Sequence, residues 1–196
     1  MMWYMKSKLN VINFYDNFLS DAENADIFNW ANEISDYEDA RIHSKSGEDE
    51  GIINHRIRNT NIKWITPNNR TETLFRKITS YITYVNDNNY NFDLTYTEAL
   101  QFGKYQSDNK QFYGLHADCG WDLIQRKLSI IIFLNDTEEF TGGELVLMTD
   151  SGSYTNIEHK KNRLVIFPSF LSHEVKPVLS GVRYSLVTWV NGPRFR

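Results

Sequence analysis

A mainly antiparallel β-sandwich or jelly roll, buttressed by helices that precede it, is the fold class this sequence predicts. From position 92 onward the chain breaks into short segments rich in β-branched and aromatic residues, with turn residues between them. Before that point, two stretches carry apolar residues at helical spacing. Helices followed by a run of strands is the order expected where helices cover one face of a sheet. The 196 residues fit one domain with room for a sizeable core.

Residues 10–18 read as a short strand entering a turn, with Val11, Ile12, Phe14 and Phe18 apolar. Ser20 or Asp21 is placed to cap a helix over 22–34, with Glu23 in its first turn. Ala22, Ala25, Ile27, Phe28, Ala31 and Ile34 form its apolar stripe, which marks it as scaffold packed on a sheet. Residues 42–58 are polar and without period. A loop of that length in a compact domain is either a lid over a binding site or a plain surface loop, and residues 43–56 are the candidate lid. Within it, Arg56 and Arg58 share a face if the segment is extended.

Pro67 or Asn68 opens a second helix running to about Val85. Leu74, Phe75, Ile78, Tyr81, Ile82 and Val85 form its stripe, and the Asn-rich 86–91 ends it. Strands are expected over 94–102, 112–117, 127–134, 144–148, 163–168, 173–178 and 182–190. Gly142-Gly143, residues 150–153 and Ser180-Gly181 punctuate them. The expected organisation is one domain over 1–196, with 1–91 as helical support and loop and 92–196 as the strand core.

Charge and composition narrow the function. A net charge of −4 with no basic cluster argues against a nucleic-acid partner. The longest apolar runs, such as 128–134, are too short to cross a bilayer. Cys119 is the only cysteine, so no internal disulfide forms and a reducing, cytoplasmic setting is expected. Nothing in the pattern specifies an oligomeric state.

The chemistry concentrates between 114 and 189. His116 and Asp118 are two apart on a strand end and project from one face, and His173 comes from a separate strand. Two imidazoles and one carboxylate suit non-haem Fe(II), because they leave one face of the metal open to substrate and O₂. A His-x-Asp alone is weak, and His43, His55 and His159 lie in polar segments as bland residues. Arg183 and Ser185 alternate on one strand face among apolar neighbours. A buried guanidinium there either forms a structural ion pair or takes a ligand carboxylate in its fork.

These residues belong to an ordered series. It runs His116-x-Asp118, then Arg126-x-x-Ser129 leading into Ile-Ile-Ile-Phe-Leu-Asn, then Gly142-Gly143-Glu144-Leu145 and Leu164-Val165-Ile166-Phe167-Pro168-Ser169. His173-Glu174-Val175-x-Pro177-Val178 and Gly181-x-Arg183-Tyr184-Ser185 complete it. The series resembles the Fe(II)- and 2-oxoglutarate-dependent dioxygenases of the prolyl 4-hydroxylase-like branch, over roughly half the chain. The resemblance implies a double-stranded β-helix of the jelly-roll or cupin-like kind. It implies Fe(II) on His116, Asp118 and His173, and 2-oxoglutarate chelating the iron with its far carboxylate on Arg183, helped by Ser185 and Tyr105. It also implies O₂ as co-reactant, ascorbate as reductant, and Tyr113, Arg126 and Trp189 facing a peptide or protein substrate.

The chain departs from the pattern in places. The spacing from Tyr105 to His116 is longer than in many relatives, and Leu145 stands where some members have a Thr. Collagen-type members carry a Lys where this chain has Arg183, which resembles the oxygen-sensor, ribosomal-protein and bacterial prolyl hydroxylases instead. The implied reaction is hydroxylation of an unactivated C–H bond with release of succinate and CO₂, on a prolyl residue. The alternatives are hydroxylation of another residue or of a small molecule such as free proline, or a non-catalytic cupin-like binding protein. A zinc hydrolase is disfavoured because no His-Glu-x-x-His occurs. Trp121, shortly after Asp118, either walls the pocket or packs.

Overall fold

The computed structural model describes residues 11–42, 51–120, 125–150 and 153–194. Residues 43–50 of the candidate lid, with His43, and Trp121 lie outside the described residues.

Strand β1 (Asn13–Tyr15) leads into helix α1 (Asp21–Glu33). Ser20 caps α1 in a reciprocal box with Glu23, which satisfies two amides that the helix leaves unpaired. Two-residue strands β2 (Glu38–Asp39) and β3 (Arg58–Asn59) flank the candidate lid, and β4 (Asn61–Ile65) follows.

Helix α2 (Glu72–Val85) buries Leu74, Ile78, Ile82 and Val85. It starts later than Pro67 or Asn68 because the Asn68 side chain accepts from the Arg70 and Thr71 amides and holds a turn ahead of the helix. It also does not stop at Val85. A π-helical turn (Asn86–Tyr90) continues it to Asn91, whose φ of 53° ends the winding.

The remaining strands are β5 (Tyr96–Thr97), β6 (Leu100–Gln106), β7 (Phe112–His116), β8 (Arg126–Phe133), β9 (Phe140–Gly142), β10 (Leu145–Asp150), β11 (Ser153–Ile157), β12 (Leu164–Pro168), β13 (His173–Val175) and β14 (Val178–Asn191). They form two antiparallel sheets. The larger runs β1-β12-β8-β14-β6-β4-β2, with β5 and β9 also paired to β14, and the smaller runs β11-β10-β13-β7-β3. This is the double-stranded β-helix, with α1 and α2 against the larger sheet. The expected single strand over 94–102 is two, β5 and β6. The strands β2, β3, β4, β9 and β11 were not expected at all, being short or polar.

Two cores result. One lies between the helices and the larger sheet, with Ile27, Ile78, Leu128, Ile130 and Ile132; the other lies between the sheets, with Ile131, Phe133, Leu145, Val165 and Phe167. β8 therefore sends alternate side chains into different cores, which is why 128–134 reads as a continuous apolar run and not as an alternation. Among the described residues no helix is long and apolar enough to cross a membrane.

Candidate metal centre and active-site cleft

The register of the smaller sheet makes the first part of the site. β13 pairs with β7 so that His173 sits directly opposite His116. Asp118 follows just past the end of β7. His116 Nε2 lies 3.5 Å from Asp118 Oδ1, and His173 Nε2 lies 3.4 Å from Asp118 Oδ2. One donor atom from each of the three falls within 4.8 Å of the others. Each ring is turned by a local carbonyl: His116 Nδ1 is 2.8 Å from the Gly114 oxygen, and His173 Nδ1 is 2.9 Å from the Leu171 oxygen. A neutral ring donating through Nδ1 leaves its Nε2 lone pair for a metal.

For His173 the electrostatics agree with a neutral ring. Burial pushes the His173 imidazole down to about 4, against the pull of Asp118. Burial alone would raise the Asp118 carboxyl, but the facing His173 and His116 rings and the Ser129 hydroxyl hold it well below the usual carboxylate range. Ser129 Oγ donates to Asp118 Oδ2 at 2.6 Å and is itself 2.9 Å from Ser169 Oγ. Two imidazoles and one carboxylate, oriented from behind by the Gly114 and Leu171 carbonyls and the Ser129 hydroxyl, fit a divalent transition metal.

The larger sheet supplies the second part. β14 pairs with β6 so that Arg183 faces Tyr105. Arg183 is 1% exposed, and its guanidinium lies 5.2 Å from the Tyr105 ring and 5.6 Å from the Phe133 ring. Nη1 donates to Ser185 Oγ at 3.3 Å, while Nε has no partner. No described carboxylate pairs with it, so of the two readings open to Arg183 the structural ion pair is absent. Arg183, Ser185 and Tyr105 line the same inner cavity as His116, Asp118 and His173. A buried, unpaired guanidinium across a cavity from three metal donors fits a cosubstrate with a carboxylate at its far end.

Tyr113, Arg126 and Trp189 all line the outer cleft, about 660 Å³ in volume, that leads to the donors. Tyr113 stacks on His116 with ring centroids 3.5 Å apart, and burial pushes its phenol up to about 12. Arg126 is not a free surface charge. It makes a two-pronged pair with Glu98 at 2.7 and 2.6 Å and lies 3.8 Å over the Trp189 ring.

Other expectations are corrected. Arg56 and Arg58 do not share a face: residues 54–57 form a turn, leaving Arg56 exposed and Arg58 buried on β3. His159 is not bland. It stacks on Phe133 at 4.2 Å and its Nε2 is 2.9 Å from the Asn135 oxygen. His55 remains exposed, 3.7 Å from Asp39. Arg58 and Gln101, which line the cleft, and Glu98, which pairs with Arg126 on its wall, had no role in the sequence. Glu98 and Gln101 carried no motif, whereas Ser129 stood in the Arg126-x-x-Ser129 series without a role.

The two-sheet barrel and the donor set resemble those of one class, the 2OG-Fe(II) oxygenases. Residues 100–191 match the 2OG-Fe(II) oxygenase superfamily. A PKHD-type hydroxylase of Psychrobacter sp. (strain PRwf-1) is 35% identical over 96 residues, which cover 45% of this chain and 36% of that protein. The PKHD-type hydroxylase YbiX of Escherichia coli O1:K1 / APEC is 35% identical over 97 residues, 45% of this chain and 41% of its own length. The match thus spans less than half of either relative. Among solved structures, a prolyl hydroxylase from Trichoplax adhaerens in complex with a hypoxia-inducible-factor peptide superposes with TM-score 0.78 at 20% identity, over 93% of this chain and 84% of that one. A Pseudomonas putida prolyl-4-hydroxylase gives 0.73 at 22% identity over 93% of both chains. The chain is thus similar to 2OG-Fe(II) oxygenases of the prolyl 4-hydroxylase-like kind, the resemblance its motif order carries.

Proposed function

We propose that this chain is an Fe(II)- and 2-oxoglutarate-dependent dioxygenase that hydroxylates a prolyl residue of a peptide or protein, acting as one domain over residues 1–196. The observation that carries the reading is the buried Arg183 guanidinium, without a carboxylate among the described residues, in the same inner cavity as His116, Asp118 and His173. The cleft outside that cavity opens to solvent, which supports a peptide over a fully enclosed small molecule. Cys119 as sole cysteine supports work in a reducing compartment such as the cytoplasm.

Each residue then has a task. His116 and His173 would offer Nε2 and Asp118 an oxygen, with Ser129 holding the carboxylate in place. When bound, the iron with 2-oxoglutarate and O₂ supplies oxidative decarboxylation to succinate and CO₂, coupled to hydroxylation of an unactivated C–H bond. Arg183 would fix the far carboxylate of 2-oxoglutarate. Ser185 accepts from Arg183, which leaves its own hydroxyl proton for the same carboxylate, and Tyr105 stands beside it. Leu145, Val175, Ile131 and Val187 line the inner cavity and keep water from the reacting atoms. Tyr113, Arg126 and Trp189 would contact the substrate. Ascorbate would serve as external reductant.

The test is mass spectrometry of proline-containing peptides incubated with the protein, Fe(II), ascorbate and 2-oxoglutarate, with succinate measured in parallel. A gain of one oxygen on proline is expected, and loss of both signals in His116→Ala and Asp118→Ala. Full turnover by either variant would refute the ligand assignment. Oxygen found on another residue would move the substrate and keep the chemistry.

A further inference from the structure

Among the described residues, three buried side-chain atoms have no hydrogen-bond partner: Arg58 Nε, Arg183 Nε and Trp189 Nε1. All three side chains line the inner cavity, and Arg58 and Trp189 also line the outer cleft. A cosubstrate carboxylate accounts for Arg183. Nothing in the reaction accounts for Arg58. It is 7% exposed, and among the described residues it reaches only neutral acceptors: Nη2 donates to Gln101 Oε1 at 2.6 Å and Nη1 to the Arg41 carbonyl at 3.4 Å.

The other well-covered arginines of this chain do meet carboxylates. Arg126 is held by Glu98, and Arg163 by Asp16 and Glu158. Arg58 and Arg183 are the exceptions among the buried described arginines, and both face the same cavity. The charged side chains lining the inner cavity, among the described residues, are Arg58, Asp118 and Arg183, while Glu38, Asp39 and Arg41 line only the outer cleft. In the inner cavity a divalent metal and Arg183 would balance Asp118 and the two carboxylates of 2-oxoglutarate, which leaves the charge of Arg58 uncompensated there, where an unpaired charge is costly.

We propose that Arg58 is a second anion-binding position in the cleft and that the prime substrate is held there by a carboxylate. This rests on the oxygenase reading and names the substrate class for it. Trp189 Nε1 supplies a further donor in the same cavity. The place of the anion follows from stacking: the Arg58 guanidinium lies 4.5 Å from the Tyr113 ring, which in turn stacks 3.5 Å from the His116 ring. One ring separates the anion position from a metal donor. At about 3.5 Å of reach per extended residue, the carboxylate lies within about two residues of the carbon attacked. Its source is either an acidic side chain beside the target residue or the terminal carboxylate of a short peptide.

Both sources are tested on protein loaded with Mn(II) and 2-oxoglutarate, which binds without turning over. Calorimetry first reads 2-oxoglutarate binding to the Mn(II) protein. Its absence would refute the oxygenase reading itself. Two pairs of proline-centred peptides are then compared: one pair with Asp or Asn after the proline, both ends blocked, and one pair with a free or an amidated C-terminus. At least one carboxylate probe should bind about ten- to hundredfold more tightly than its amide, the worth of a charge-assisted pair. The pair that shows the gap identifies the source. Arg58→Gln should close most of the gap, and Arg58→Lys, which keeps the charge but not the fork, should keep part of it; circular dichroism verifies folding. Should Arg58→Gln not fold, Arg58→Lys carries the comparison. Equal binding of acid and amide by the unaltered protein, or an equal loss for both in Arg58→Gln, would overturn the proposal, the second result making Arg58 a partner for a neutral carbonyl.

Discussion

Arg183 separates the contributions of charge and shape at the scale of single residues. Arg183→Ala removes a charge-assisted pair and should raise the 2-oxoglutarate requirement about ten- to hundredfold, read as the half-saturating concentration for succinate formation. Arg183→Lys should recover only part, since an ammonium cannot make the two-pronged contact. Ser129 stands one step behind the proposed metal site. Its hydroxyl is fully buried and fixes Asp118 Oδ2 at 2.6 Å, so Ser129→Ala should weaken Fe(II) or Mn(II) affinity about ten- to hundredfold, measured by metal titration. The donor triad and Arg183 were legible in the sequence because their chemistry demands particular residue types in a particular order. Glu98 and Arg58 were not, because their roles come from which neighbours the fold denies or grants them. An Arg matched by Glu98 and an Arg that meets no carboxylate among the described residues look alike in one dimension.

Secondary-structure elements were legible where burial imposes a period. The stripe of α2 and the capping box of α1 are visible in the chain because each encodes its own local satisfaction of backbone groups. β4 was missed because its pattern mixes core residues with Lys63. That side chain is buried and donates to the Ala31 and Ile34 carbonyls at 2.9 and 2.8 Å, capping the C-terminal end of α1. The turn between β9 and β10 was seen as Gly142-Gly143, but its reason lies in the site. Gly143 has φ +67°, and an added Cβ would come within 2.9 Å of Arg183 Cδ and 3.0 Å of Val178 Cγ2. Gly143→Ala should therefore cost about 1–3 kcal/mol of stability and also weaken 2-oxoglutarate binding by displacing Arg183. Denaturant unfolding and calorimetry read the two effects. Gly120→Ala, where an added Cβ meets nothing within 4 Å, is the stability comparison and should change little.

For the whole molecule, the site exists because two sheets close on each other. The smaller brings His116 opposite His173, and the larger brings Arg183 opposite Tyr105. The layer between the sheets extends beyond the metal donors to His159, whose ring packs flat on Phe133 and edge-on to Phe140. Burial pushes this imidazole down from 6.5 to about 4, with the nearby Arg183 charge adding to the effect. The unfolded chain therefore binds the proton at a pH where the folded chain still refuses it. Stability from this group is complete above about pH 6.5 and falls as the pH drops toward 4, by about 2 kcal/mol at pH 5. His173 is depressed in the same direction, so the total acid sensitivity of metal-free protein is a sum. The His159 share is isolated by difference. His159→Phe keeps an aromatic ring between Phe133 and Phe140 but removes the titration, and its unfolding free energy should lose about 2 kcal/mol less than the parent's between pH 7.5 and pH 5 in urea melts. Parallel pH profiles for parent and variant would mean that the ring at 159 takes up its proton as readily in the folded protein as in the unfolded one.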